Sequence, residues 1–150
     1  MPFQWKTGQP PAHLVPRKVL VLGPDEFYDS DYQFMKGVLD EFTVRLEHFH
    51  VVLVGNAGEH YKLEDRQRVY YGIDRVVLRW CDYYKYTRVL LPEHRYASTE
   101  KRNKDLVEVL DGSAAHCLWF KDEEDRKSRR IYNDVVRGVV SRKMTKIVRV

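Results

Sequence analysis

Five short apolar runs, each set apart from the next by enough chain to hold a helix, limit what this sequence can fold into. They are Lys18 to Leu22 (KVLVL), His50 to Val54 (HVVLV), Tyr86 to Leu91 (YTRVLL), Ala115 to Phe120 (AHCLWF) and Lys146 to Val150 (KIVRV). Consecutive rather than alternating apolar residues are the mark of strands covered on both faces, whereas the alternation in KIVRV suits a sheet edge. Parallel neighbours need a crossover of a dozen or more residues between them, and every gap here supplies one. The expected product is an α/β fold with a parallel sheet and right-handed crossovers.

The intervening segments read as helices. Met35, Val38, Leu39, Phe42 and Leu46 recur at three- and four-residue steps after a cap at Ser30 or Asp31. A second helix is predicted from about Glu64 to Tyr84, with Val69, Ile73, Val76, Val77 and Trp80 on one side and Gly72 as a weak point in its middle. Ser98 or Thr99 opens a third, carrying Leu106, Val107, Val109 and Leu110, which Gly112 ends in the position of a left-handed cap. The acidic cluster Lys121 to Asp125 leads into a basic fourth helix with Ile131, Val135, Val136, Val139 and Val140 on its inner face. The expectation is a Rossmann-like three-layer sandwich with a mostly parallel sheet of about five strands. It occupies residues 17–150, behind an extended proline-rich arm at residues 1–16 where Phe3 and Trp5 could dock on the domain or a partner.

Composition narrows the class. A hydrophobic share of 43% with 32% charged residues falls in the globular range. No apolar run approaches the roughly eighteen residues of a membrane span, and the amino terminus has four prolines where a secretory signal needs a continuous apolar stretch, so a cytoplasmic protein is expected. Cys81 and Cys117 are lone thiols without zinc-site spacing, expected buried and reduced; neither a metal nor a cofactor is expected. The net charge of +4 is uneven: from Arg126 onward nine basic residues face Asp134 alone (+8), while the preceding chain has 17 basic against 21 acidic (−4). A basic end of this kind can attract a polyanion, and a solvated helix face explains it equally well.

In an open parallel sheet, ligands settle outside the carboxyl ends of the strands, where helix N-termini favour an anion. That rule selects the loops Gly23 to Asp29, Gly55 to His60, Pro92 to Thr99 and Lys121 to Asp125. Gly55-Asn56-Ala57-Gly58 would let backbone approach a phosphate closely, although glycines also end strands in plain turns. Neither a Walker A sequence nor a GxGxxG is present. Arg102 and Asn103, at the start of the third helix, offer a planar fork for phosphate and an amide for a base edge or sugar hydroxyl, and a surface arginine with an ordinary exposed neighbour explains the pair equally well. Asp25 and Glu26 are candidates to hold a ribose or act as a general base, with solvated turn carboxylates as the favoured plainer explanation. His94 has no nucleophile near it in sequence, and Ser98 and Thr99 read as caps.

At these loops the chain resembles the SLOG superfamily, the Rossmann-like group that includes the Smf/DprA and LOG proteins, and within it the short YspA-like branch. Gly23-Pro24-Asp25-Glu26-Phe27 is similar to that branch's Gly-x-Arg-Asp-Phe element, Val54-Gly55-Asn56-Ala57-Gly58 to its glycine-rich turn, and Arg102-Asn103 to the Arg-Asn pair opening a later helix. The chain departs from the pattern in having Asp25 at the arginine position, Asn56 at a glycine position, and Lys121-Asp122-Glu123-Glu124-Asp125 where a glycine-threonine turn belongs. The resemblance implies a pocket for a nucleotide or nucleotide derivative, and the departures imply a changed or degenerate one.

Three functions follow as expectations. The first is a module binding a phosphate-bearing ligand through Gly23, Asp25, Gly55, Asn56, Ala57, Gly58, Arg102 and Asn103. The second is an enzyme cleaving an N-glycosidic bond of nucleotides, as similar folds in the LOG and deoxyribosyltransferase families do, with Glu26 or less favourably Glu59 as its carboxylate. The third is a nucleic-acid or protein interaction module using Arg126 to Arg149, with the proline-rich arm open to a partner or to self-association as a homo-oligomer.

Overall fold

The structure, a computed structural model, describes residues 16–25, 31–55, 61–64, 67–70, 72–112 and 114–150. The predicted arm therefore lies outside the described residues except for Pro16. Five strands form one parallel sheet: β1 (Arg17–Leu22), β2 (Phe49–Leu53), β5 (Arg88–Leu90), β6 (His116–Lys121) and β7 (Thr145–Arg149), in the order β5-β2-β1-β6-β7. All four pairings are parallel, with Val19 opposite both Val51 and His116 at the centre. The carboxyl ends of all five strands consequently share one edge of the sheet.

The helices cover both faces, which makes this a Rossmann-like α/β sandwich. Because side chains alternate across a strand, Val19 and Val21 of β1 join α1 (Tyr32–Thr43) and α2 (Ile73–Tyr84) on one face, together with Met35, Leu39, Val76, Val77 and Trp80. Leu20 and Leu22 join α3 (Thr99–Leu110) on the other, with Leu106, Leu110, Ile131, Val135 and Val136. The fourth helical segment starts as α4 (Arg126–Ile131), widens into a π turn (Tyr132–Val136) and ends as α5 (Arg137–Val139). Ser98 caps α3 by accepting the Lys101 backbone N–H at 3.2 Å, and Gly112 follows that helix at φ +69°. Among the described residues β7 pairs with β6 alone, at the edge that its alternating pattern predicts, with Ile147 exposed. Cys81 and Cys117 are buried and free, and burial pushes each thiol up to about 12, so both stay protonated at neutral pH. No helix of the described residues is long and apolar enough to cross a membrane.

One predicted element is wrong in the sequence reading. The helix expected from Glu64 begins at Ile73, and the chain before it forms an antiparallel hairpin of β3 (Tyr61–Glu64) and β4 (Gln67–Tyr70). Val69, assigned to the helix stripe, is in β4. Tyr61, Lys62, Leu63 and Glu64 alternate apolar and polar with a period of two, which suits a strand, and Gly72 at φ +87° has a backbone that a right-handed helix cannot contain. Gly72 is the N-cap of α2 and not an interior residue.

Candidate functional site

The chain runs outward from β1 through β2 to β5, then crosses back over β1 to β6, so the winding direction reverses between β1 and β6. That reversal opens a crevice at the carboxyl edge. A cavity of about 170 Å³ lies at this edge. Its floor is Val21, Leu22 and Gly23 from the end of β1 and Val54 and Gly55 from the end of β2. Its walls are Ile73 and Asp74 at the start of α2, Thr99, Arg102 and Asn103 at the start of α3, and Arg126, Lys127, Ser128 and Arg130 from α4.

Three short connections hold these walls to the floor. The Ile73 backbone N–H donates to the Pro24 carbonyl at 3.1 Å, which fixes the start of α2 against the β1 exit. A Cβ at Gly23 would sit 2.7 Å from Ile73 Cγ1, so the absence of a side chain lets the helix come this close. From α4 the buried Ser128 hydroxyl donates to the Gly23 carbonyl at 3.1 Å, and Asp125 caps the same turn by accepting the Ser128 backbone N–H at 3.1 Å. Lys127 reaches across the mouth to Asp25, Nζ to Oδ2 3.5 Å, with both side chains largely in solvent.

Arg102 is 2% exposed. Its Nη1 donates to the Val54 carbonyl at 2.9 Å and its Nε to Asn103 Oδ1 at 3.0 Å, so two bonds orient a guanidinium already stripped of water. Burial lowers its pKa while Glu93, Tyr96 and Asp74 raise it, and a guanidinium keeps its charge under such opposing pulls. Glu93, also at the cavity, accepts the Thr99 hydroxyl at 3.0 Å. Arg126, Lys127 and Arg130 bring three exposed cations to the same cavity, so its described lining has four basic residues and three acidic ones, Asp25, Asp74 and Glu93.

The site residues expected from sequence divide into two groups. Gly23, Asp25, Gly55, Arg102 and Asn103 come together around this one cavity. Glu26, Asn56, Ala57 and Gly58 lie outside the described residues, as does Glu59. Gly55 has a role in packing: a Cβ there would overlap Asp74 Oδ2, so the position is glycine to admit that carboxyl. Arg102 is buried and not the exposed surface residue that sequence left as an equal alternative. His94 lies in the turn Glu93–Arg95 and does not line the cavity, and neither does any residue of the acidic loop from Lys121 to Asp125. Glu123 of that loop instead meets Arg129 and Arg149, at 3.6 and 3.8 Å.

Sequence reasoning missed Asp74, Ser128 and the α4 cations as lining residues. Asp74 is 4% exposed, and its Oδ2 has no hydrogen-bond partner among the described residues. Burial pushes its carboxyl up to about 7; the Gly55 backbone N–H and the Arg102 charge oppose the rise and the Asp25 charge adds to it. The signal available in sequence is Gly72-Ile73-Asp74, a glycine followed by an acidic residue in the first turn of a helix. Among the described residues no cluster of His, Cys, Asp and Glu could hold a metal ion. The lining groups are suited to orienting and neutralising an anion.

No family model, curated protein or solved structure matches this chain.

Proposed function

We propose that the protein binds a nucleotide or nucleotide derivative through its phosphate, in the cavity at the carboxyl edge of the sheet. The observation that carries this is Arg102: a buried guanidinium, held by the Val54 carbonyl and by Asn103, on a cavity also lined by Arg126, Lys127 and Arg130. A buried, pre-oriented arginine binds phosphate strongly because its donors are fixed and its water is already gone. The helix starts of α2 and α3 add their positive dipole ends at the same place. With about 170 Å³ the cavity is smaller than the roughly 300–1,000 Å³ of pockets that enclose whole drug-sized ligands. It suits a phosphate with the adjoining sugar, leaving a base at the mouth.

The motifs that resemble the SLOG superfamily support the same reading, since Gly23, Gly55, Arg102 and Asn103 all line this cavity. The reading is a binding module of that type with an altered site: where the family motif has an arginine this chain has Asp25, and the cations come from α4. Calorimetric titration with adenosine and guanosine 5′-monophosphates, cyclic dinucleotides and sugar phosphates tests it. Binding that weakens about tenfold or more in an Arg126→Ala/Lys127→Ala/Arg130→Ala variant is the expected result. Uniformly null titrations of the wild type would remove the proposal.

A further inference from the structure

Asp74 is out of keeping with a site built for phosphate alone. A carboxyl beside four cations would be explained if it formed an ion pair, yet Arg102 gives its hydrogen bonds to Val54 and Asn103. A structural carboxylate at a helix start would have both oxygens satisfied by backbone N–H groups, yet even with the Gly55 backbone N–H beside the carboxyl, Asp74 Oδ2 has no partner among the described residues. The group is 96% buried all the same, it lines the cavity, and Gly55 gives up its side chain to make room for it. A buried acceptor left bare is costly, so its retention points to a donor that arrives with the ligand.

We propose that Asp74 reads the organic part of the ligand: Oδ2 accepts a hydrogen bond from a hydroxyl on the sugar that carries the phosphate. This rests on the phosphate-binding role given to the same cavity. An ionised carboxylate only accepts hydrogen bonds, so it repels a bare phosphate and attracts a hydroxyl next to one. A site with such a group discriminates strongly against ligands that lack the matching donor, because the acceptor then stays buried and unpaired. The recognised chemistry is a hydroxylated phosphate ester, whether the ribose of a nucleotide or a free sugar phosphate.

Calorimetry on the full chain at pH 8 tests this with four probes: inorganic phosphate, ribose 5-phosphate, adenosine 5′-monophosphate, and its 2′,3′-dideoxy analogue. The wild type is expected to bind adenosine monophosphate roughly tenfold or more tightly than the dideoxy analogue. In Asp74→Ala that ratio falls to about one, while affinity for inorganic phosphate holds or rises. Asp74→Asn, which keeps the shape of the side chain, serves should the alanine variant fold poorly; its inorganic phosphate affinity also holds or rises, and its hydroxyl preference shrinks. Ribose 5-phosphate that matches the nucleotide supports the role with a free sugar phosphate as ligand, and much weaker ribose 5-phosphate supports it with a nucleotide. Equal binding of the nucleotide and its dideoxy analogue by the wild type would overturn the role of Asp74 and leave phosphate binding standing. Failure of every probe to bind would overturn both.

Discussion

Replacing Asp74 by Asn should change how stability depends on pH. The ordinary carboxyl value is 3.8, and burial holds this one at about 7 in the folded protein. Between those two values the folded state binds more protons at this site than the unfolded state, so stability declines as pH rises from about 4 to about 7 and stays reduced above it. A rise of about 3 units, at about 1.4 kcal/mol per unit, gives a penalty of about 4 kcal/mol in the fully ionised protein. Part of that penalty is already present at pH 5, and about 3 kcal/mol of it develops between pH 5 and pH 8. Asparagine has no such titration. Urea unfolding followed by circular dichroism at pH 5, 6, 7 and 8 would measure the difference between variant and wild type. His50 and His116, whose pKa values burial lowers, move stability the opposite way, but both proteins contain them and they cancel in the difference. The stability of Asp74→Asn relative to wild type should climb with pH by about 3 kcal/mol. A difference that stays constant from pH 5 to pH 8 would refute the claim that this carboxyl is desolvated.

Gly55→Ala should cost about 1–3 kcal/mol by overlap with the Asp74 carboxyl, and much less when made in Asp74→Gly, which a double-mutant cycle by urea unfolding would register. Arg102→Met should destabilise by about 2–3 kcal/mol, since the Val54 carbonyl loses its donor, and should also abolish phosphate binding; thermal unfolding and titration check the two effects separately. Ser128→Ala removes the bond to the Gly23 carbonyl and should cost about 1 kcal/mol in the same unfolding assay. Arg126→Ala/Lys127→Ala/Arg130→Ala should leave stability within about 0.5 kcal/mol per substitution while weakening phosphate binding and flattening its salt dependence.

The sheet was legible because its strands announce themselves twice, by unbroken apolar runs and by the distances between them. Val19 to Leu22 are all fully or almost fully buried, as a strand with helices on both faces requires, and KIVRV falls at the edge as its alternation demands. The β3–β4 hairpin was not legible, because a window of eleven or more residues blends its period of two into the helical period that follows. Placing a helix across it put Asp74 in a helix interior, where an acidic residue reads as a solvated face. Once Gly72 is the N-cap, Asp74 moves to the first turn and into the cavity. Arg102 was legible in position but not in burial, since nothing local in the sequence shows that the Val54 carbonyl, 48 residues earlier, will face it. The α4 cations were counted in the basic end of the chain; three of them reach the cavity because Asp125 and Ser128 fix the start of that helix beside Gly23.

A crystal structure of the protein soaked with adenosine 5′-monophosphate tests the phosphate site most directly. The phosphate should lie between Gly23 and Arg102, facing the α4 cations, with a ribose hydroxyl toward Asp74. Ligand density elsewhere, such as along the basic stretch from Arg142 to Arg149, or an empty cavity at a saturating concentration, would contradict the account.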